Sequence, residues 1–193
     1  CENYTHGLEL AEICGSVLLR FQGNGVMSGL FATGEYQARW SGVLDEMAKC
    51  GHEAALILGR GGGSYDRCGD VLYLTNYYSC ASGQEVDNPL NTARSFSLVL
   101  MQPGQEPELI IDEPDPRTDL LSVGRVSGHS DPMMAAGKAL AARGINGPVA
   151  LVGADFLPVK YWRLIDAAAP GTHWAAGWHC VHRGLSCLYW LPV

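Results

Sequence analysis

The chain has 193 residues, a length that fits one ordinary domain, with two small ones possible. Its 13 Lys and Arg against 20 Asp and Glu leave a formal charge of −7, without the basic stripe that a nucleic-acid binder uses to neutralise phosphates. Hydrophobic residues make up 47% and charged ones 17%, the mix of a folded domain, and no run of about 18 apolar residues is present to span a membrane.

Residues 1–34 show weak periodicity and scattered glycines (Gly23, Gly25, Gly29, Gly34), and are expected to be poorly ordered or foreign to the fold. The first firm element is a helix over Glu35–Cys50. Tyr36, Trp40, Val43, Leu44 and Met47 fall on one apolar stripe, Glu35 suits the positive end of the dipole, and Gly51 ends it. Ala54–Leu58 is a short continuous apolar run, typical of a strand buried on both faces. A glycine-rich connection, Gly59–Ser64, leads to Val71–Thr75, whose β-branched and aromatic residues predict a second strand. After a polar loop, Ser79–Ala93, Phe96–Met101 and Leu109–Asp112 predict a hairpin around Pro103-Gly104.

Asp131 as N-cap and Pro132 at the first position open the next helix, which runs to Gly144. Val149–Val152 predicts a strand, and Pro158 opens a last helix in which Tyr161, Leu164, Ile165 and Ala168 make one stripe, stopped by Pro170-Gly171. Helices alternating with buried strands, plus one hairpin, predict a three-layer α/β domain on a mixed sheet, occupying residues 35–176. Residues 177–193 change character. From His173 onward the chain holds three of its five Trp, three of its six His and two of its seven Cys, with no organising period, which marks an atypical tail.

The cysteines at 1, 14, 50, 68, 80, 180 and 187 are odd in number and form no C-x-x-C pair, so neither a disulfide framework nor a redox motif is expected, and a reducing cytoplasm is the simpler setting. No secretory signal is recognisable at the N-terminus.

Four constellations invite a chemical reading. Gly59-Arg60-Gly61-Gly62-Gly63-Ser64 follows a strand, but it lacks the third glycine of a dinucleotide fingerprint and the Lys of a P-loop, so a plain connection is expected. Ser127, His129 and Asp131 are close in sequence, yet Asp131 is already explained as a cap and no nucleophile elbow accompanies them. Asp112, Glu113, Asp115 and Asp119, broken by prolines, read as a solvated loop rather than a cation site. His179, Cys180, His182 and Cys187 are soft ligands whose spacing is poor for zinc. No complete catalytic or metal set is expected in this chain.

The order of "HEAALIL", "DVLYLTNYY", "PGQEPELII", "GPVALVG" and "LPVKYWRLIDAAAPG", after a helix bearing Arg39, resembles the N-terminal domain of the creatinase, prolidase and aminopeptidase P family over residues 35–171. Tyr73-Leu74-Thr75-Asn76-Tyr77 stands where that family has "YLTGF", with Asn76 in place of the glycine. The resemblance implies a lid and dimerisation domain that carries no chemistry of its own. It also implies a separate catalytic domain, which in peptidase members binds a divalent metal pair and has no counterpart here. On the same basis Arg94, Tyr77 and Tyr73 are the candidate substrate contacts, Arg94 through the planar fork that suits a carboxylate. A second copy of this chain or a full-length relative is the expected partner. The tail and residues 1–26 depart from the family pattern, as a frameshift or mis-joined reading frame would produce. A stand-alone interaction module, or an unrelated α/β enzyme or nucleotide binder using the glycine loop, are the alternatives.

Overall fold

The computed structural model describes residues 33–61, 66–79, 95–113 and 115–176. They form the α/β domain that the periodicities predict: a six-stranded mixed sheet in the order β4-β3-β2-β1-β5-β6. Its strands are β1 (Ala54–Arg60), β2 (Phe96–Met101), β3 (Glu108–Ile111), β4 (Arg125–Gly128), β5 (Pro148–Val152) and β6 (His173–Ala176). The helices are α1 (Thr33–Lys49), α2 (Gly69–Thr75), α3 (Pro132–Ala142) and α4 (Val159–Ala168). β2 is antiparallel to both of its neighbours, β1 and β3, while β1–β5, β5–β6 and β3–β4 pair in parallel.

The continuous apolar runs lie at the centre because both of their faces are covered. Ala55, Ile57, Val99, Met101, Leu109 and Ile111 point to a core shared with α1 and α2, where Val43, Met47, Val71 and Leu74 are buried. Ala54, Leu56, Leu58, Leu98, Leu100 and Ile110 point to the opposite core, closed by Met133, Ala136 and Leu140 of α3 and Tyr161 and Ile165 of α4. This is the three-layer arrangement. The two helices of the second layer pack so closely that a Cβ on Gly137 would stand 2.5 Å from the Ile165 carbonyl oxygen and 2.6 Å from the Ala168 methyl.

Val71–Thr75 is part of helix α2, not the expected strand. Its buried positions, Cys68, Val71, Leu74 and Thr75, are spaced at three and four residues, a helical period that outweighs the β-forming composition of a segment this short. Asn76 ends the helix in the left-handed conformation at φ 60°, with its N–H on the Leu72 carbonyl at 2.8 Å. Asparagine is the residue that best replaces glycine in that backbone region, so the departure from the "YLTGF" pattern keeps the turn. Asn76 Nδ2 also donates to the Leu120 carbonyl at 2.7 Å.

The Asp131 cap is present, its carboxylate accepting the Met134 N–H at 3.0 Å. β4 and β6, at the two sheet edges, were not expected; both are four residues long, β4 (Arg-Val-Ser-Gly) has no apolar run and β6 (His-Trp-Ala-Ala) only three apolar residues. Among the cysteines described, Cys68 is free and buried, whereas Cys50 is disulfide-bonded, a cross-link that the sequence did not lead one to expect. No helix among the described residues is long and apolar enough to cross a membrane.

Candidate functional site at the strand ends

β1 and β5 lie side by side and run the same way, but the chain leaves them in opposite directions. β1 is followed by α2 in one core and β5 by α4 in the other. Diverging connections of this kind open a crevice beyond the carboxyl ends of the two strands, the place where open α/β sheets bind ligands. The crevice is present here as a cleft of about 240 Å³ lined by Asp66, Arg67, Gly69, Asp70, Gly153, Asp155 and Phe156.

The lining is held from behind. Arg60 and Arg67 exchange backbone N–H···O bonds at 3.4 and 3.0 Å, which brings the segment after the glycine loop back against the end of β1. The Asp66 carboxylate accepts the Cys68 N–H at 2.9 Å and the Tyr78 hydroxyl at 2.5 Å. Arg67 stands 3.9 Å from Asp155, each side chain about half exposed at 51% and 48%, a loose pair in high dielectric. Gly153 adopts φ 85°, and the Phe156 ring closes over it.

A second, buried polar cluster sits at the entry to β2. Ser95 is fully buried with φ 64° and donates its N–H to Asp112 at 3.0 Å; its carbonyl accepts the Gly61 N–H at 2.9 Å. Beside it the Tyr77 hydroxyl donates to Glu113 at 3.2 Å. Burial, and then the charges of Glu113 and Asp112, push the Tyr77 phenol well above its ordinary value, so it stays protonated and acts as a donor.

Two of the candidate contacts from sequence, Tyr73 and Tyr77, lie among the described residues. Tyr77 belongs to the buried cluster beside the entry to β2. Tyr73 lies on α2 with the Arg39 guanidinium 4.1 Å from its ring centroid, and its carbonyl accepts from Arg39 Nη1 at 2.8 Å. Arg94 falls outside the described residues, immediately before Ser95.

The other constellations separate in the same way. Ser127 Oγ donates to Glu108 at 2.9 Å and Asp131 is committed to its cap, so no triad forms with the exposed His129. Asp112 is buried rather than solvated, because it accepts Ser95, while Asp119 pairs with Arg117 at 2.6 Å. Gly59 is required by packing. A Cβ there would stand 2.7 Å from Val71 Cγ2 and 2.9 Å from Ser97 Oγ. His179, Cys180, His182 and Cys187 lie outside the described residues, among which no group of three or more His, Cys, Asp or Glu could hold a metal ion.

The cleft residues Asp66, Asp70, Asp155 and Phe156 were missed in the sequence. The available signal was positional: one group follows β1 and the other follows β5, but adjacency of those strands is a property of the sheet order.

No family model matches the chain, and no curated protein matches it. Among solved structures it is similar to an Xaa-Pro aminopeptidase from Streptococcus pyogenes, at 20% identity and a TM-score of 0.54, over 79% of this chain and 99% of that one. It is also similar to the dipeptidase PepE from Mycobacterium ulcerans, at 18% identity and a TM-score of 0.48, over 81% of this chain and 38% of that one. A dipeptidase from Pyrococcus horikoshii gives 14% identity and a TM-score of 0.43, over 71% of this chain and 33% of that one. The likeness to the Streptococcus protein shows a shared fold, the one expected from the order of motifs.

Proposed function

We propose that this chain is a non-catalytic, partner-contacting domain of a hydrolase related to Xaa-Pro peptidases and creatinase. The observation that carries the proposal is the fold shared with the Streptococcus pyogenes Xaa-Pro aminopeptidase, whose chain is spanned over 99% of its length. The motif order supports it independently, because the arginine-bearing helix, the "YLTNYY" turn and the hairpin occur in the same sequence.

In this proposal the domain works by covering and positioning, and the hydrolytic chemistry with its divalent metals belongs to a catalytic domain. Arg94 is the residue assigned to a substrate carboxylate in such an assembly. Tyr73 and Tyr77 serve it indirectly, Tyr73 by joining α2 to α1 and Tyr77 by tying the end of α2 to Glu113 after β3. The partner is a second copy of the chain or a full-length relative.

Light scattering after size exclusion tests the partner contact. The expected result is a mass above the 20.7 kDa of one chain, or a stable complex with a full-length relative. A strict monomer at high concentration that also fails to bind such a relative overturns it.

A further inference from the structure

The corner where α3 ends against β3 and β4 carries an inference that goes beyond the peptidase relation and does not depend on it. Arg143 closes α3, and its side chain is 7% exposed. Of its three guanidinium nitrogens, Nη2 donates to Glu108 at 2.5 Å, while Nε and Nη1 are buried without a hydrogen-bond partner. We propose that this corner binds a small oxyanion, a phosphate or carboxylate group, on the guanidinium of Arg143.

The buried donors make it a site. Arginine keeps its proton in a protein, so it cannot escape the cost of unmatched donors by becoming neutral, and buried polar groups are in the large majority matched. The groups already at the corner do not match them. Among the described residues Glu108 is the carboxylate that meets Arg143, and both its oxygens are engaged. Oε2 accepts Arg143 and, at 3.2 Å, Arg125, while Oε1 accepts Ser127 at 2.9 Å. Glu106, two residues earlier, accepts the Gly124 N–H at 2.8 Å. Two guanidiniums thus share one carboxylate oxygen, which favours a further anion beside them.

Arg125 gives access. It lies on β4 at the edge of the sheet, its side chain 47% exposed, and its two contacts are long, with Glu108 at 3.2 Å and Gln105 at 3.3 Å. Such a side chain turns outward at little cost, opening a path to Arg143, and folds back onto the bound group. An oxyanion is the fitting occupant because the planar fork of an arginine meets two oxygens of a phosphate or carboxylate at once, which a halide cannot offer.

The test is a titration of the full chain with sodium phosphate and, separately, sodium acetate, each against sodium chloride at matched ionic strength. It is followed at the Nε–Hε correlation of Arg143 and the amides of Arg125 and Ser127. Phosphate or acetate is expected to shift these signals saturably, the tighter of the two naming the group, and chloride is not. In Arg125→Gln, which leaves the Arg143–Glu108 pair in place, the apparent affinity falls about tenfold or more, the loss of one charge-assisted contact. Signals that answer neither anion, as when water alone meets the buried donors, would overturn the proposal. So would an equal response to chloride, or an unchanged affinity in natively folded Arg125→Gln. Such a failure leaves the peptidase relation where it stands, since neither partner binding nor hydrolysis is measured.

Discussion

The guanidinium of Arg39 lies 4.1 Å from the centroid of the Tyr73 ring and donates to the Tyr73 carbonyl at 2.8 Å, so α1 grips α2 by side chain and main chain together. Its other amino group reaches Glu35 at 2.9 Å, and the Tyr36 ring stands 4.9 Å away. The neighbouring Trp40 donates to the Leu74 carbonyl at 2.9 Å. Two of the last carbonyls of a seven-residue helix are thereby satisfied by α1, one of them by a positive charge at the negative end of the dipole.

Arg39→Ala removes these contacts and leaves the Tyr73 carbonyl without its cap, an expected loss of about 2–4 kcal/mol in urea unfolding. Arg39→Lys should recover only a minor part, because an ammonium cannot stack flat on Tyr73 and fork to two acceptors at once. Full recovery by Lys would show that charge alone matters.

Glu108 ties together three elements at the opposite end of the sheet. Its carboxylate accepts Arg143 from the end of α3 at 2.5 Å, and Arg125 and Ser127 from β4 at 3.2 and 2.9 Å. Burial pushes this carboxyl up, but the Arg143, Ser127 and Arg125 contacts together outweigh it and hold the group below its ordinary value. A depressed folded-state value means that the stabilisation is complete above the unfolded value of about 4.3 and is lost as the pH falls through the folded one. Unfolding free energy should therefore drop on acidification below about pH 4 in the native chain and drop less in Glu108→Gln, compared at matched pH. Identical acid profiles would remove Glu108 from the account.

Gly137→Ala forces a methyl against the Ile165 carbonyl and the Ala168 methyl, at distances where no Cβ fits without movement. The expected cost is about 1–3 kcal/mol, the usual penalty for overpacking, read as a lowered urea midpoint at unchanged slope. In an exposed helix interior the same change would stabilise by up to about 1 kcal/mol, so the sign of the effect decides whether α3 and α4 meet this closely.

Tyr77 is buried with its hydroxyl on Glu113, and its phenol is held above the ordinary range. The unfolded chain releases that proton near pH 10 while the folded chain keeps it, so the stabilisation is complete below that pH and is lost progressively as the pH rises above it toward the folded value. Tyr77→Phe should cost about 1 kcal/mol at neutral pH and flatten the alkaline limb of the stability profile. An unaltered alkaline limb would contradict the buried position.

The central sheet was legible because β1 and β2 are runs of apolar residues covered on both faces, and such runs leave a mark in sequence. α1 and α4 were equally plain from their stripes, and Asp131-Pro132 announced α3. Where the reading failed, tertiary context decided. α2 is seven residues of strand-forming composition, and only burial at Cys68, Val71 and Leu74 makes it a helix. β4 and β6 are four-residue edge strands that need one covered face, so β4 carries no apolar run and β6 only a three-residue one, too short to mark a strand. Asp112 was placed in a solvated loop because nothing local signals that Ser95, seventeen residues earlier, turns its N–H inward. The cleft was illegible for a similar reason: it depends on β1 and β5 being neighbours, although they are separated in sequence by α2, β2, β3, β4 and α3.

Turnover of an Xaa-Pro dipeptide by the purified chain, with Mn²⁺, Co²⁺ or Zn²⁺ supplied, tests the central claim most directly. A non-catalytic domain is expected to give no hydrolysis above the metal-only control at any protein concentration. Hydrolysis that rises in proportion to the protein in a homogeneous preparation would contradict it, and would place the chemistry within this chain.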